Sequence, residues 1–133
     1  TKFLTQEVTA GMLWNGEAYM ASRENPQIRY VYPKEGVMMW MDNLVISAGA
    51  RNVEGAHRFI DFVLRPDIAQ QISEEVGYSS PNLAAIQRLP EKVRNNSTVY
   101  PSDADLKNVE FQTDVGEALT IYDQYWQRLK TGR

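Results

Sequence analysis

A mixed α/β fold is predicted for this 133-residue chain by three features of its order. Strand-like and helix-forming stretches alternate through the first third, two helical periodicities follow in the middle, and an amphipathic repeat closes the chain. With 43% hydrophobic and 23% charged residues, the composition is that of a domain able to bury a core, far from the polar, highly charged signature of disorder.

Val8 to Leu13 carries strand-like residues and stops at the turn signal Trp14-Asn15-Gly16. Glu17 to Glu24 is made mostly of helix formers and ends at Asn25-Pro26, so the opening reads as strand, turn, helix. Ile28 to Tyr32 reads as a short strand closed by Pro33-Lys34-Glu35-Gly36. Val37 to Ile46, interrupted by Asp42-Asn43, reads as a bent strand or strand pair. Ala56, Phe59, Ile60 and Val63 fall on one face of a helix that begins near Asn52 and ends before Pro66. Ile68, Ile72 and Val76 repeat every four residues in the next helix, and Gly77 stands where a left-handed C-cap belongs, ahead of a loop over residues 78–82. From Leu83 to Val109, Pro90, Asn95-Asn96-Ser97 and Pro101 leave room only for short helical fragments, which reads as a connector running over a surface. Val115, Leu119, Tyr122, Trp126 and Leu129 then form the stripe of a long amphipathic helix. Lys130 and Arg133 stand at the end its dipole favours, and the stripe places Tyr122 and Trp126 in the core.

Composition excludes several chemistries. The chain has no Cys and one His, so no disulfide framework, zinc ribbon, cysteine nucleophile or His-rich metal site is available, and no cofactor is expected. Fourteen Lys and Arg against 17 Asp and Glu give a formal charge of −3, with no basic run to mark a nucleic-acid partner. The apolar stretches are stopped by Asp42 and Arg51, far short of the roughly 20 residues that cross a bilayer. The chain opens at Thr1 without a start Met or a signal-like region, which reads as a piece of a longer protein. There is no Gly-x-Ser-x-Gly elbow, phosphate loop or His-Glu-x-x-His, so an enzyme is not expected. Glu74-Glu75 and Asp103 with Asp105 read as solvated surface, and His57, one position off its helix's apolar stripe, has no partner to make it a base or ligand.

Trp40-Met41-Asp42 is more informative. On a strand, residues two apart point to the same side, so the indole and the carboxylate would project into one space. That pair suits an organic ammonium: the anion neutralises charge and accepts a strong hydrogen bond, and the ring face adds about 0.5–2 kcal/mol of cation–π attraction. The same residues also suit a core Trp beside a turn-forming Asp-Asn. Trp14 and Tyr78 sit at element ends, where binding residues are presented and where aromatics also cap cores.

Taken in order, Leu13-Trp14-Asn15-Gly16, Pro33-Lys34-Glu35-Gly36, Trp40-Met41-Asp42, Leu64-Arg65-Pro66-Asp67, Gly77-Tyr78, Pro81-Asn82, Tyr100-Pro101 and Leu129-Lys130-Thr131-Gly132-Arg133 closely resemble the spermidine/putrescine-binding family of bacterial ABC-type polyamine importers. The likeness covers nearly the whole chain and is nearest to the spermidine-preferring branch.

The resemblance implies the C-terminal portion of a two-lobed, type II periplasmic-binding-protein fold that closes on a polyamine and delivers it to an ABC permease. It implies Trp14 and Trp40 as aromatic walls, Asp42 as the acid facing an amine, and Tyr78 and Gln112 as polar contacts. It assigns residues 1–41 to the C-terminal lobe, 42–86 to the N-terminal lobe and 87–133 to the C-terminal lobe again. Family members are considerably longer, so the expected companions are a complementary N-terminal segment or further copies of the chain. A folded, oligomerising fragment that has lost binding is the competing expectation.

Overall fold

The computed structural model describes residues 2–132. Its elements are α1 (Asn15–Glu24), β1 (Val37–Met39), α2 (Val53–Leu64), α3 (Pro66–Val76), α4 (Leu83–Arg88), α5 (Glu91–Arg94), β2 (Val109–Phe111), a 3-10 turn (Gly116–Ala118) and α6 (Leu119–Thr131). The order is mixed α/β, as the sequence predicts.

The helices form where their local signals lie. Asn52 caps α2 by accepting a hydrogen bond from the Gly55 N–H at 2.8 Å, which satisfies one of the orphan donors of the first turn. Pro66 opens α3 at a position where its missing N–H costs nothing. Gly77 closes it in the left-handed conformation, at φ 76°, which glycine adopts without the Cβ penalty. Asn82 caps α4 through the Ala85 N–H and donates from Nδ2 to the Leu64 carbonyl at 2.7 Å. One side chain thereby ties the end of α2 to the start of α4.

The strands depart from expectation. Val8–Leu13 and Ile28–Tyr32 are irregular in the described structure, and the Val37–Ile46 stretch keeps only the three residues of β1. β1 pairs in parallel with β2, Val37 opposite Val109 and Met39 opposite Phe111. A parallel pair requires a crossover connection, and α2 through α5 supply it. Strand propensity alone left the other two stretches unpaired, because a strand exists only where a partner edge is offered.

The core is small and built from distant segments. Ala18, Tyr19 and Ala21 of α1, Ala69 and Ser73 of α3, Ala85 and Leu89 around α4, and Val99 are buried. Ala85, Leu89 and Val99 overturn the reading of residues 83–109 as a mere surface connector: the segment folds inward because its small and aliphatic residues fill the space beside α1 and α3. Small residues let α1 and α3 approach closely. A Cβ on Gly77 would lie 2.9 Å from the Gly16 carbonyl oxygen and 3.0 Å from Tyr19 Cδ1.

The C-terminal helix is a second correction. α6 forms with its apolar stripe, yet Tyr122 is 63%, Trp126 52% and Leu129 73% exposed, so neither aromatic is core in this chain. The pattern defined an apolar face correctly, but among the described elements α6 packs mainly against the 3-10 turn that leads into it. Lys130 instead sits over the Trp126 ring, 4.9 Å from its centroid. Arg133, expected at the same helix end, lies outside the described residues.

His57 is exposed, as its position off the stripe predicts. Among the described residues no helix is long and apolar enough to cross a membrane, and no three His, Cys, Asp or Glu side chains gather to hold a metal ion.

Candidate functional site

The parallel pairing of β1 and β2 sends both chains out of the sheet at the same end. The Gln112 N–H donates to the Met39 carbonyl at 3.1 Å, so Trp40 and Gln112 leave their strands side by side. This is the carboxyl end of parallel strands, where open α/β sheets bind ligands. Beyond β1 the chain is irregular, but the relation expected of Trp40 and Asp42 survives: the indole Nε1 donates to Asp42 Oδ1 at 2.9 Å. Both side chains face solvent, with Trp40 55% exposed. The indole uses one carboxylate oxygen and leaves Oδ2 for a further donor.

Trp14 is placed by α1, for which it is the N-cap residue, in extended conformation at φ −66° and ψ 144°. It makes no side-chain cap bond and is 51% exposed. The turn behind it is firmly held. Asn15 Nδ2 donates to the Thr98 carbonyl at 2.9 Å, and the Tyr32 hydroxyl donates to the same oxygen at 2.8 Å. Tyr30 packs edge-on against Tyr32 with ring centroids 4.9 Å apart. Burial, reinforced by Tyr30, pushes the Tyr32 hydroxyl up to about 12, with the Asn15 side chain acting in the opposite sense.

Tyr78 is delivered by the end of α3. Gly77 turns the chain, and the buried Ser73 hydroxyl donates to the Tyr78 carbonyl, which fixes the backbone just past the helix. The Tyr78 ring lies flush against the backbone of Gly16: a Cβ there would fall 2.5 Å from Cε2 and 2.6 Å from Cδ2 and Cζ. Partial burial raises the Tyr78 hydroxyl pKa, the Glu17 carboxylate adds to the rise, and Asp42 contributes in the same direction.

Of the residues expected from sequence, Trp40, Asp42 and Gln112 thus lie together at the strand ends, while Trp14 precedes the first turn of α1 and Tyr78 rests on that turn. Sequence reasoning did not single out Asn15, Gly16, Glu17 or Ser73. Asn15-Gly16 registered only as a turn signal, and Ser73 is one residue of an amphipathic pattern until Gly77 and Tyr78 are seen to fold back over it.

Comparison with known proteins fixes the family. A model described as a bacterial extracellular solute-binding protein matches residues 1–108. The chain belongs to that family. The chain is 49% identical over 131 residues to the spermidine/putrescine-binding periplasmic protein of Escherichia coli K12, an alignment covering 98% of this chain and 38% of the relative. It is 33% identical over 126 residues to a putrescine/agmatine-binding protein of Pseudomonas aeruginosa, covering 90% of this chain and 34% of the relative. A crystal structure of a spermidine/putrescine ABC transporter substrate-binding protein from Streptococcus pneumoniae superposes with a TM-score of 0.81 at 33% identity, over 98% of this chain and 41% of that one. The mixed α/β arrangement is therefore that of part of a type II periplasmic-binding-protein fold, and the chain spans well under half the length of these relatives.

Proposed function

We propose that this chain is the C-terminal part of a periplasmic solute-binding protein that captures a polyamine, spermidine in preference to putrescine, and delivers it to an ABC permease without a catalytic step. The observation that carries this reading is the Trp40–Asp42 pair, an indole hydrogen-bonded to a carboxylate at the open end of two parallel strands. An ammonium placed at Asp42 Oδ2 gains a charge-assisted hydrogen bond, and the adjoining methylene groups gain apolar contact with the Trp40 and Trp14 rings. Tyr78 and Gln112 contribute polar contacts. Spermidine as a ligand is supported by the 49% identity to a spermidine/putrescine-binding relative against 33% to a putrescine/agmatine-binding one.

On this reading residues 1–41 and 87–133 belong to the C-terminal lobe and 42–86 to the N-terminal lobe. The apolar faces of α6 and α2, where Phe59 and Phe62 join the α6 stripe as exposed side chains, are covered by a complementary N-terminal segment or by a further copy of the chain. The same exposed faces favour a second reading, a folded oligomerising fragment that no longer binds.

A thermal-shift titration separates the two. A ligand that binds only the folded state stabilises it by about 2.7 kcal/mol at a hundredfold excess over Kd. Spermidine should raise the melting temperature; no shift up to millimolar ligand would favour the non-binding fragment.

A further inference from the structure

Glu17 has no role in the site as described, yet its position gives it one. It is the acidic residue in the first turn of α1, the turn that Trp14 caps and on which the Tyr78 ring rests. The N-cap and the third helical position, here Trp14 and Glu17, are the two that face each other in a capping box. Trp14 makes no side-chain cap bond, and Glu17 is exposed and enters no ion pair among the described residues. Its carboxylate is therefore free of internal work.

The local electrostatics require an anion there. A helix N-terminus carries roughly half a positive charge, so a cation resting against the Trp14 ring would be repelled by the turn beneath it. Glu17 reverses that sign. Tyr78 lies within the influence of both Glu17, carried by the first turn of α1, and Asp42, carried by the chain beyond β1.

We propose that Glu17 is a further ligand-binding residue: its carboxylate, beside Trp14 and the Tyr78 ring on the first turn of α1, takes a second ammonium of the polyamine whose other end Asp42 holds. The proposal rests on the polyamine reading above, and it makes this chain's half of the site selective for ligands with at least two separated positive charges. The methylene segment between them then lies across the aromatic rings, where it loses water without leaving a charge unpaired.

The test uses the full-length protein carrying these residues, with spermidine titrated by calorimetry into the parent, Glu17→Gln, Glu17→Asp and Asp42→Asn. Gln preserves shape and helix compatibility at this exposed position and removes only the charge. Glu17→Gln should weaken spermidine at least tenfold while the melting temperature of the unliganded protein falls by no more than a few degrees, the loss expected from one dipole-favoured charge, and Glu17→Asp should recover part of the affinity. A direct contact also keeps its effect at about 0.5 M salt, where the screening length falls to a few ångströms and a distant field is erased. A loss below twofold, or a loss that vanishes in salt, overturns the proposal. Asp42→Asn reports on the underlying reading separately: if it leaves spermidine affinity intact, the polyamine site itself is misplaced, whatever Glu17 does.

Discussion

The contact between Gly16 and Tyr78 makes a sharp test of how the site is held. An Ala at position 16 would place its methyl 2.5–2.6 Å from three ring atoms of Tyr78, against an ordinary contact of 3.4 Å or more. The ring would have to retreat by about 1 Å or swing away from α1, and overpacking of this kind costs about 1–3 kcal/mol. Opposing it is the helix preference of Ala over Gly, about 0.5–1 kcal/mol. The net expectation is a loss of roughly 0–2.5 kcal/mol, too broad to be decisive alone. A double-mutant cycle removes the ambiguity. With Tyr78→Ala already in place, Gly16→Ala meets no ring and should be neutral or stabilising, so the coupling between the two positions should reach about 1–3 kcal/mol in urea unfolding at constant slope. On the polyamine reading spermidine affinity should fall in Gly16→Ala alone, since the displaced Tyr78 is one of the proposed polar contacts. A coupling below about 0.5 kcal/mol, with affinity unchanged, would show that the ring does not rest on this turn.

Three further outcomes follow from the same geometry. Asp42→Asn should cost about 2–5 kcal/mol of spermidine binding, tens to thousands of fold in Kd by calorimetry, whereas Trp40→Phe, which keeps a ring and loses only an exposed indole donor, should cost about 0.5–1.5 kcal/mol. The Tyr32 hydroxyl, pushed up to about 12 against the ordinary 10, keeps its proton longer in the folded state, so its contribution to stability is complete below pH 10 and is lost as the pH climbs toward 12. Ultraviolet titration of phenolate absorbance in the parent and in Tyr32→Phe checks this: one late-ionising tyrosine should disappear. Trp126→Ala in the isolated chain should change unfolding stability by less than about 0.5 kcal/mol, because the ring is already exposed, and should cost about 3–5 kcal/mol only where another segment covers α6.

The helices were legible because their determinants are local. Asn52 reaches the Gly55 N–H three residues on, and Gly77 supplies its own left-handed stop; both signals are complete within one turn of sequence. Strands are not of that kind. Val8–Leu13 and Ile28–Tyr32 have the residues of strands without a partner, whereas Val109–Phe111, whose Val-Glu-Phe alternation is too short to mark a strand, becomes β2 because β1 lies beside it in parallel. The α6 stripe fails in the opposite sense. Periodicity states which face of a helix is apolar, and nothing in that statement says what covers it.

The site divides along the same line. Trp40 and Asp42 are two residues apart, so their meeting was readable from the chain, and it persists even though the strand that was to arrange it ends at Met39. Tyr78 and Gly16 are distant in sequence, and neither Gly77-Tyr78 nor Asn15-Gly16 announces that one ring will rest on the other's backbone. Glu17 is the extreme case: as one charged residue in a run of helix formers it is ordinary, and in the first turn of α1 it is favoured by the dipole alone. Only the arrival of Tyr78 from the end of α3, and of Asp42's field from the end of β1, turns a helix-stabilising acid into a candidate for recognition. A linear cation carries its charges at intervals along an apolar chain. A site for it must therefore alternate anions and rings in space, and on the polyamine reading α1, the chain beyond β1 and the loop after α3 supply that alternation, each with one ring and at most one acid.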